Sequence, residues 1–371
     1  MVVRRLTVAP ARAVAGRLVR LRSLPWPDNS RLFAVGDRGR WSVDEDATNL
    51  EDVARRLGLR VGPAGWARFC ERQAVFLTSH FEGLGPYWLE SSHRLGTAYL
   101  HGRPGTPGYP EFDRAYGTLR RNPERLARIQ VTHEEMHALV LSAGVPAKRV
   151  FRLPIGIDLE SFPPVDGARR AAARRALGLG DAAFVVGSFQ KDGIGWGEGF
   201  EPKLIKGPDV LVNALEEIRR AVPELVVLLT GPARGYVRSE LERLGVTCLH
   251  TVAEGKAELA RAYHALDVYV VPSRQEGGPK GVLEALAAGV PLVSTRVGQA
   301  TEIVTSGRDG LLVEVEDVEA ITDAIVRLHG DSGLSRSLAE TGRATAERYS
   351  HVRLDALWAA LLSGFVEGGT S

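Results

Sequence analysis

Short apolar runs alternate with longer stretches of helical periodicity over the second half of the chain. The apolar runs have the length and composition of buried β-strands and lie at 184–188, 225–230, 267–271, 291–295 and 310–315. The stretches between them favour helices at 207–221, 234–244, 256–265, 281–288 and 317–329. Strands that alternate with helices build a parallel sheet covered on both faces. The pattern therefore predicts an α/β fold with a doubly wound sheet.

The first half repeats this alternation more faintly. Strands are predicted at 31–35, 73–78, 94–100, 128–131 and 150–153, with helices at 44–57 and 133–143. Pro163 and Pro164 interrupt the pattern between residues 158 and 167, which is typical of a linker. At 371 residues the chain is long enough for two domains. We predict two Rossmann-like domains, at 1–160 and 168–350.

Composition excludes several classes of protein. With 44% apolar and 25% charged residues and a net charge of +2, the chain resembles a globular protein and not a dedicated nucleic-acid binder. Two cysteines, Cys70 and Cys248, are too few for a disulfide framework. No apolar run reaches the roughly 18 residues of a membrane span, and no signal-peptide core is visible at the start. We expect a cytoplasmic protein.

The segment 1–31 is strongly basic, with seven arginines against the single acidic residue Asp28. Arginines interleave with Val and Leu from Ala11 to Leu24, as in a short amphipathic helix that rests on an anionic membrane. The simpler interpretation is an arm packed on the first domain with its arginines in water. Peripheral contact with a membrane through 1–31 is the alternative.

The segment 273–298 carries the clearest functional signal. It reads SRQEGGPKGVLEALAAGVPLVSTRVG, so that Glu276 lies in a Gly/Pro loop and Glu284 lies eight positions later, inside the following helix. A loop of small residues that opens a helix offers backbone N–H groups and the positive end of the helix dipole to a phosphate. Carboxylates on either side can accept hydrogen bonds from hydroxyl groups. The combination suits a sugar, a diphosphate and a ribose in a row, that is, a nucleotide sugar.

This motif resembles that of glycosyltransferase family 4, whose mark is two glutamates separated by seven residues. The resemblance implies the GT-B architecture, in which two Rossmann-like domains face each other across a cleft. Residues 1–160 would then bind the acceptor, 168–350 would bind the nucleotide sugar, and a last helix at 351–366 would cross back onto the first domain. The implied activity is retaining transfer of a hexose from a UDP- or GDP-linked donor to a hydroxyl acceptor, in glycan, glycolipid or natural-product biosynthesis.

The same resemblance assigns the site residues. Glu276 and Lys206 are expected to be catalytic, with Lys206 on the donor diphosphate. The family's arginine before this lysine is absent, and we assign its role to Lys191, which is followed by a Gly-rich insertion at 192–204. His101 is expected to reach the donor sugar from the first domain. The remaining donor-binding residues would be Glu284, Gly278, Pro279, Lys280, Gly281 and Val282. Lysines and a helix N-terminus would replace a metal, so we expect no metal and no cofactor.

Three other functions stay open at this point. A nucleotide-sugar epimerase shares the GT-B architecture, and a nucleotide-sugar sensor would bind the donor without reacting. The third is a zinc peptidase, because His133-Glu134-Glu135-Met136-His137 matches the His-Glu-x-x-His signature on a predicted helix. The third histidine and the glycine of the extended signature are absent, with Val140 and Ala143 in those places, which argues against this last function.

Overall fold

The computed structural model describes residues 31–36 and 42–367, and these fall into two compact units. The first unit comprises the described residues up to Leu153 together with those from Leu354 onward. The second unit is Pro154–Arg353. The basic segment 1–31 lies, apart from Arg31, outside the described residues. Among those that are described, no helix is both long and apolar enough to span a bilayer.

The first unit is built on a parallel sheet whose five described strands follow each other in chain order. The strands are β1 (Leu32–Val35), β2 (Ala74–Leu77), β3 (Arg94–Ala98), β4 (Leu126–Val131) and β5 (Val150–Arg152). The connecting helices are α1 (Ser42–Arg56), α2 (His80–Gly83), α3 (Pro86–Leu89), α4 (Pro110–Arg121) and α5 (Glu134–Ser142). Every residue of β1 and β2 is buried, as expected for a parallel sheet that is covered on both faces.

The second unit holds a parallel sheet of six described strands in the order β11-β10-β9-β6-β7-β8. The strands are β6 (Phe184–Ser188), β7 (Leu225–Thr230), β8 (Thr247–Thr251), β9 (Val268–Val271), β10 (Leu292–Thr295) and β11 (Leu311–Val313). The helices are α6 (Gly167–Ala176), α7 (Pro208–Ala221), α8 (Gly235–Arg243), α9 (Lys256–His264), α10 (Lys280–Ala288), α11 (Ala300–Ile303), α12 (Val318–Gly330) and α13 (Ser332–Arg348).

Neighbouring residues of one strand pack into separate hydrophobic cores on the two faces of the second sheet. Val185 packs with Tyr263, Leu283 and the rest of one apolar cluster, whereas Val186 belongs to a cluster on the opposite face with Leu215. This period of two places α9 and α10 on one face and α7 on the other. The sheet is thereby buried between helices, and its polar residues are concentrated where the strands end.

The C-terminal segment completes the first unit. After a 3₁₀ turn, α14 (Asp355–Leu362) places Leu361, Leu362 and Phe365 in a core with Phe76 of β2. Arg128 of β4 donates to the carbonyl oxygens of Leu361 (2.7 Å) and Ser363 (2.6 Å), which satisfies acceptors at the end of the helix.

The α/β prediction is confirmed, and every apolar run that predicted a strand forms one. The pattern missed β8, an edge strand of sequence Thr-Cys-Leu-His-Thr whose residues are only partly buried. It also missed α4, although Phe112, Ala115 and Leu119 are buried at helical spacing and could have revealed it. Two further missed helices, α6 and α13, are rich in arginine and small residues and carry a weaker apolar pattern. The four-residue helices α2, α3 and α11 were also missed, because a single turn is too short to show a helical period.

Candidate functional site

A loop of small residues leads from β9 into α10 in the second unit. β9 ends at Val271, and α10 begins at Lys280 after Pro279 in the N-cap position. A Cβ on Gly281 would overlap the hydroxyl group of Tyr269, a buried residue of β9. The start of the helix therefore lies directly against the sheet, and only glycine allows that approach. Such a helix N-terminus is suited to a phosphate group.

Lys206 and Glu276, 70 positions apart in the chain, form a direct ion pair. The ammonium nitrogen of Lys206 lies 2.6 Å from each oxygen of the Glu276 carboxylate. Gly207, with φ of 63°, follows Lys206, and a Cβ there would overlap the carbonyl oxygen of Pro272. This close approach presses the start of α7 against the loop that carries Glu276. The structure thus brings together the two residues that the sequence predicted to be catalytic.

Arg274 links the start of α7 to the loop that carries Glu276. Its guanidinium nitrogens each lie 2.7 Å from an oxygen of Asp209, in the first turn of α7, and its backbone nitrogen donates to the carbonyl oxygen of Ile205 (2.9 Å). The bidentate contact with Asp209 raises the pKa of Arg274 above its usual range. Sequence analysis did not single out this arginine, although it lies inside the 273–298 motif.

Two further polar side chains, Ser273 and Gln190, complete the surroundings of the ion pair. The Ser273 hydroxyl lies 2.9 Å from Glu276 Oε1 and 3.1 Å from Gln190 Oε1. The Gln190 amide nitrogen donates to the carbonyl oxygen of Lys206 (2.7 Å). Gln190 precedes Lys191 directly and Ser273 lies three positions before Glu276, but no motif pointed to their side chains.

The carboxylate of Glu276 is buried together with most of its lysine partner. Glu276 is buried although it lies in a Gly-rich loop, and the Lys206 side chain is only 23% exposed. The buried carboxylate is compensated by the lysine ammonium and the Ser273 hydroxyl, as a charge away from water must be. Removing either partner of the pair therefore also affects the stability of the fold.

Glu284 lies in α10 and is held by a tyrosine from the neighbouring helix α9. The Tyr263 hydroxyl donates to Glu284 Oε2 (2.8 Å). Burial, together with the nearby carboxylate, raises the pKa of Tyr263 well above its usual range, so that the phenol keeps its proton. The carboxylate of Glu284 is thereby fixed in one orientation, which suits recognition of a pair of hydroxyl groups.

Lys191 lies at the base of the 192–204 insertion. Its ammonium nitrogen is 4.0 Å from the centre of the Trp196 ring, a cation–π contact, and burial lowers the pKa of the lysine. The neighbouring Asp192 forms a buried ion pair with Arg234 (2.8 Å). Burial raises the pKa of Asp192 even with the guanidinium beside it. The insertion thus has a fixed base, and Lys191 is linked to the Lys206 segment through the adjacent residue Gln190.

His101 belongs to the first unit, where it follows the end of β3. Its ring packs edge-on against His80 and Phe112, with centroid distances of 5.9 and 5.8 Å. The buried His80 stacks on Tyr99, and burial holds the pKa of His80 well below its usual value. The carboxyl ends of parallel strands are where such sheets bind ligands, so His101 is placed at the binding edge of its own unit.

The His-Glu-x-x-His segment does not have the geometry of a zinc-binding helix. The predicted helix 133–143 begins one residue later, at Glu134, and His133 precedes it in extended conformation (φ −152°), so the two histidines do not both lie on the helix. The His133 ring nitrogen lies 3.8 Å from Glu135, whose pKa is lowered to about 2 by the nearby His133 and Arg103. Across the described ranges, no three His, Cys, Asp or Glu side chains are grouped as metal ligands.

Comparison with known proteins identifies a family model that covers much of the second unit. Residues 198–331 match the model described as "Glycosyl transferases group 1", a range that includes Lys206, Glu276 and Glu284. The fold is also similar to solved structures of Anabaena HepE in complex with UDP and glucose (TM-score 0.71, 17% identity, 90% of this chain and 99% of that one). Sucrose-phosphate synthase from Thermosynechococcus elongatus gives a TM-score of 0.67 at 20% identity over 89% of this chain and 82% of that one. These structures support the GT-B fold.

Sequence relatives extend the match beyond one domain. A D-inositol 3-phosphate glycosyltransferase of Xylanimonas cellulosilytica is 35% identical over 60% of this chain, although the match spans only 53% of that protein's length. A GDP-mannose-dependent alpha-(1-6)-phosphatidylinositol monomannoside mannosyltransferase of Mycolicibacterium smegmatis is 32% identical over 76% of this chain and 73% of its own length. Together with the fold and the paired Lys206 and Glu276, these matches show that the chain belongs to the group 1 glycosyltransferase family.

Proposed function

We propose that this chain is a retaining glycosyltransferase that moves a hexose from a UDP- or GDP-linked donor to a hydroxyl group of an acceptor. The observation that carries the proposal is the contact between Lys206 and Glu276 in the segments that lead into α7 and α10. A lysine that can neutralise a diphosphate and a carboxylate that can accept hydrogen bonds from a sugar are thereby held at one place.

In this proposal the donor diphosphate takes the place of Glu276 as the partner of the Lys206 ammonium. The backbone N–H groups of Gly278, Lys280 and Gly281 lie at the start of α10 or lead into it and would stabilise the same phosphates. Pro279, which has no N–H, and Val282, whose N–H donates to the carbonyl oxygen of Pro279 (2.9 Å), would line the same phosphate site. Lys191 would add a second positive charge once its ammonium leaves the Trp196 ring. Positive charge placed on the leaving group lowers the barrier to cleavage of the glycosidic bond.

The two glutamates have separate roles in the proposed complex. Glu276 would accept hydrogen bonds from hydroxyl groups of the transferred sugar. Glu284, fixed by Tyr263, would accept them from the ribose of the nucleotide. The two glutamates are not proposed to act together as an acid/base pair of the hydrolase type, because such a pair must flank a single bond. His101 is proposed to contact the donor sugar from the first unit.

In this proposal the configuration of the sugar is retained, because the proposed groups all act on one face of the sugar. The bond between the anomeric carbon and the phosphate oxygen breaks, and the acceptor oxygen forms its bond on the same face. The departing phosphate takes the proton of the acceptor hydroxyl. No carboxylate of the recognised motif is assigned to deprotonate an acceptor on the opposite face, as inversion would require. The proposed reaction therefore needs no metal and no cofactor.

The names of the relatives narrow the range of acceptor classes to test. One is named for D-inositol 3-phosphate and another for phosphatidylinositol monomannoside with GDP-mannose as donor. An inositol-type polyol, free or lipid-linked, is accordingly the first acceptor class to test with this chain. A lipid-linked acceptor would also give the basic segment 1–31 a use as a peripheral membrane contact.

The stereochemistry of the first-formed product tests the proposal. UDP- and GDP-hexoses are offered with inositol-type acceptors, and the anomeric coupling constant of the product is measured by NMR. We expect the configuration of the donor to be kept. An inverted product would mean that His101 or another residue acts as a general base. Conversion of the donor to an epimer without any acceptor would favour the epimerase alternative.

Activity after removal of metal ions tests the proposal that the reaction needs no metal. Turnover is measured after exhaustive dialysis against EDTA, together with the zinc content of the protein. We expect unchanged turnover, because charge stabilisation is assigned to lysines and a helix N-terminus. Stoichiometric zinc that is required for activity would revive the peptidase alternative at His133 and His137.

A further inference from the structure

Four side chains in the second unit form a closed polar ring, which we call the Lys206–Glu276 ring. The Lys206 ammonium contacts both oxygens of Glu276 at 2.6 Å, and the Ser273 hydroxyl lies 2.9 Å from Glu276 Oε1. The same hydroxyl lies 3.1 Å from Gln190 Oε1, and the Gln190 amide nitrogen returns to the carbonyl oxygen of Lys206 at 2.7 Å. Ser273 is fully buried and Glu276 is nearly so, which shields the ring from competing water.

The Ser273 hydroxyl has two acceptors in this ring but only one proton. Gln190 cannot reverse its amide group, because its oxygen would then face the carbonyl oxygen of Lys206. Both atoms near the hydroxyl, Gln190 Oε1 and Glu276 Oε1, are therefore acceptors. At any moment the hydroxyl donates to one of them, and rotation about its C–O bond transfers the hydrogen bond to the other.

The proposed function requires the ring to open, since Lys206 must turn from Glu276 towards the donor diphosphate. A buried carboxylate that loses its cation without a replacement donor is strongly destabilised. We infer that Ser273 is a positioning residue whose hydroxyl donates to Glu276 when Lys206 is released to the diphosphate. This inference rests on the proposed function of Lys206.

The ring thus lowers the cost of moving a cation from a protein carboxylate to the substrate. While Lys206 is on Glu276, the hydroxyl can satisfy Gln190. After Lys206 has moved, the hydrogen bond from Ser273 keeps the Glu276 carboxylate satisfied and oriented towards the sugar. The hydrogen bond from Gln190 to the backbone carbonyl oxygen of Lys206 is kept throughout, so only the ammonium end of the lysine needs to move.

A double-mutant cycle on the full chain tests the inference. Binding of UDP and of GDP is measured by calorimetry for the wild type, Ser273→Ala, Lys206→Met and the double variant. Loss of a hydrogen bond to a charged group predicts about 10-fold weaker nucleotide binding for Ser273→Ala. In the Lys206→Met background the same substitution should have no effect on binding, because Glu276 then depends on Ser273 both before and after binding.

Equal weakening in both backgrounds would show a merely structural role for Ser273 and would overturn the inference. Unchanged binding by Ser273→Ala, with binding weakened by Lys206→Met, would also overturn it while sparing the proposed function. If Lys206→Met itself leaves binding of both nucleotides unchanged, the proposed function fails. Should Ser273→Ala not fold, Ser273→Thr and Ser273→Val give a pair of equal shape, of which only the threonine should bind at nearly wild-type strength.

Discussion

The two units are built alike but keep their charged groups in different surroundings. At the ends of the strands in the second unit, Lys206–Glu276 and Asp192–Arg234 are ion pairs that are largely or wholly buried. In the first unit the corresponding Arg103–Glu135 pair is exposed on both sides. Buried charges tolerate few substitutions because each partner depends on the other, whereas exposed pairs contribute little and are easily replaced. The family model matches residues 198–331, wholly within the second unit, a range that includes Lys206, Arg234 and Glu276.

The largest effect is expected from the buried pair at the proposed site. Lys206→Ala and Glu276→Gln should each reduce kcat by about 100- to 1000-fold, because each removes a group proposed to stabilise the leaving phosphate or the sugar. Each should also destabilise the fold by about 1–3 kcal/mol, since the partner is left partly buried and unpaired.

Matched changes in the first unit serve as controls for these variants. Lys148→Ala removes an exposed lysine, and Glu134→Gln removes an acidic residue of the His-Glu-x-x-His segment. Both should transfer sugar at nearly the wild-type rate, with circular dichroism confirming the fold of all four variants. Near wild-type transfer by Lys206→Ala or Glu276→Gln would remove the functional contrast between the units.

A second effect, on stability, is expected at the base of the insertion. Arg234 is fully buried, pairs with Asp192 and donates to the carbonyl oxygen of Ser188 (2.7 Å). Arg234→Met should cost about 3–5 kcal/mol of unfolding free energy, because the Asp192 carboxylate is left buried without a cation. Urea unfolding followed by tryptophan fluorescence measures this loss.

Arg103→Met in the first unit is the matched control, because its guanidinium is 60% exposed and pairs with an exposed Glu135. Breaking such a pair should change stability by about 0–1 kcal/mol. Equal losses in the two variants would show that burial does not distinguish the charged pairs of the two units.

The smallest effect is expected in acid, at Glu135. The pKa of this carboxyl is lowered from 4.5 to about 2 by its contacts with His133 and Arg103. A lowered pKa stabilises the folded state above the unfolded value, and the gain disappears as pH falls from about 4.5 to about 2. Glu135→Gln should therefore make the loss of thermal stability over this pH range shallower. An identical slope for variant and wild type would contradict the assignment.

The sequence predicted the candidate site of the second unit better than it predicted the histidine segment of the first unit. Glu276 and Glu284 could be found because glycines and glutamates at fixed spacing describe a helix start that is suited to a phosphate. Lys206 was assigned through the family resemblance, and the structure joins it directly to Glu276. Ser273, Gln190 and Arg274 could not, because their roles depend on contacts between segments far apart in the chain. The histidines at 133 and 137 misled because the pattern does not reveal where the helix begins.

Hydrogen–deuterium exchange of the full chain, with and without saturating UDP or GDP, tests most directly whether the second unit binds the donor nucleotide. We expect slower exchange of backbone amides at 205–209 and 277–282, where the Lys206 segment and the start of α10 lie. A nucleotide that binds but protects only 101–105 and 132–137 in the first unit, with no change at 277–282, would contradict it.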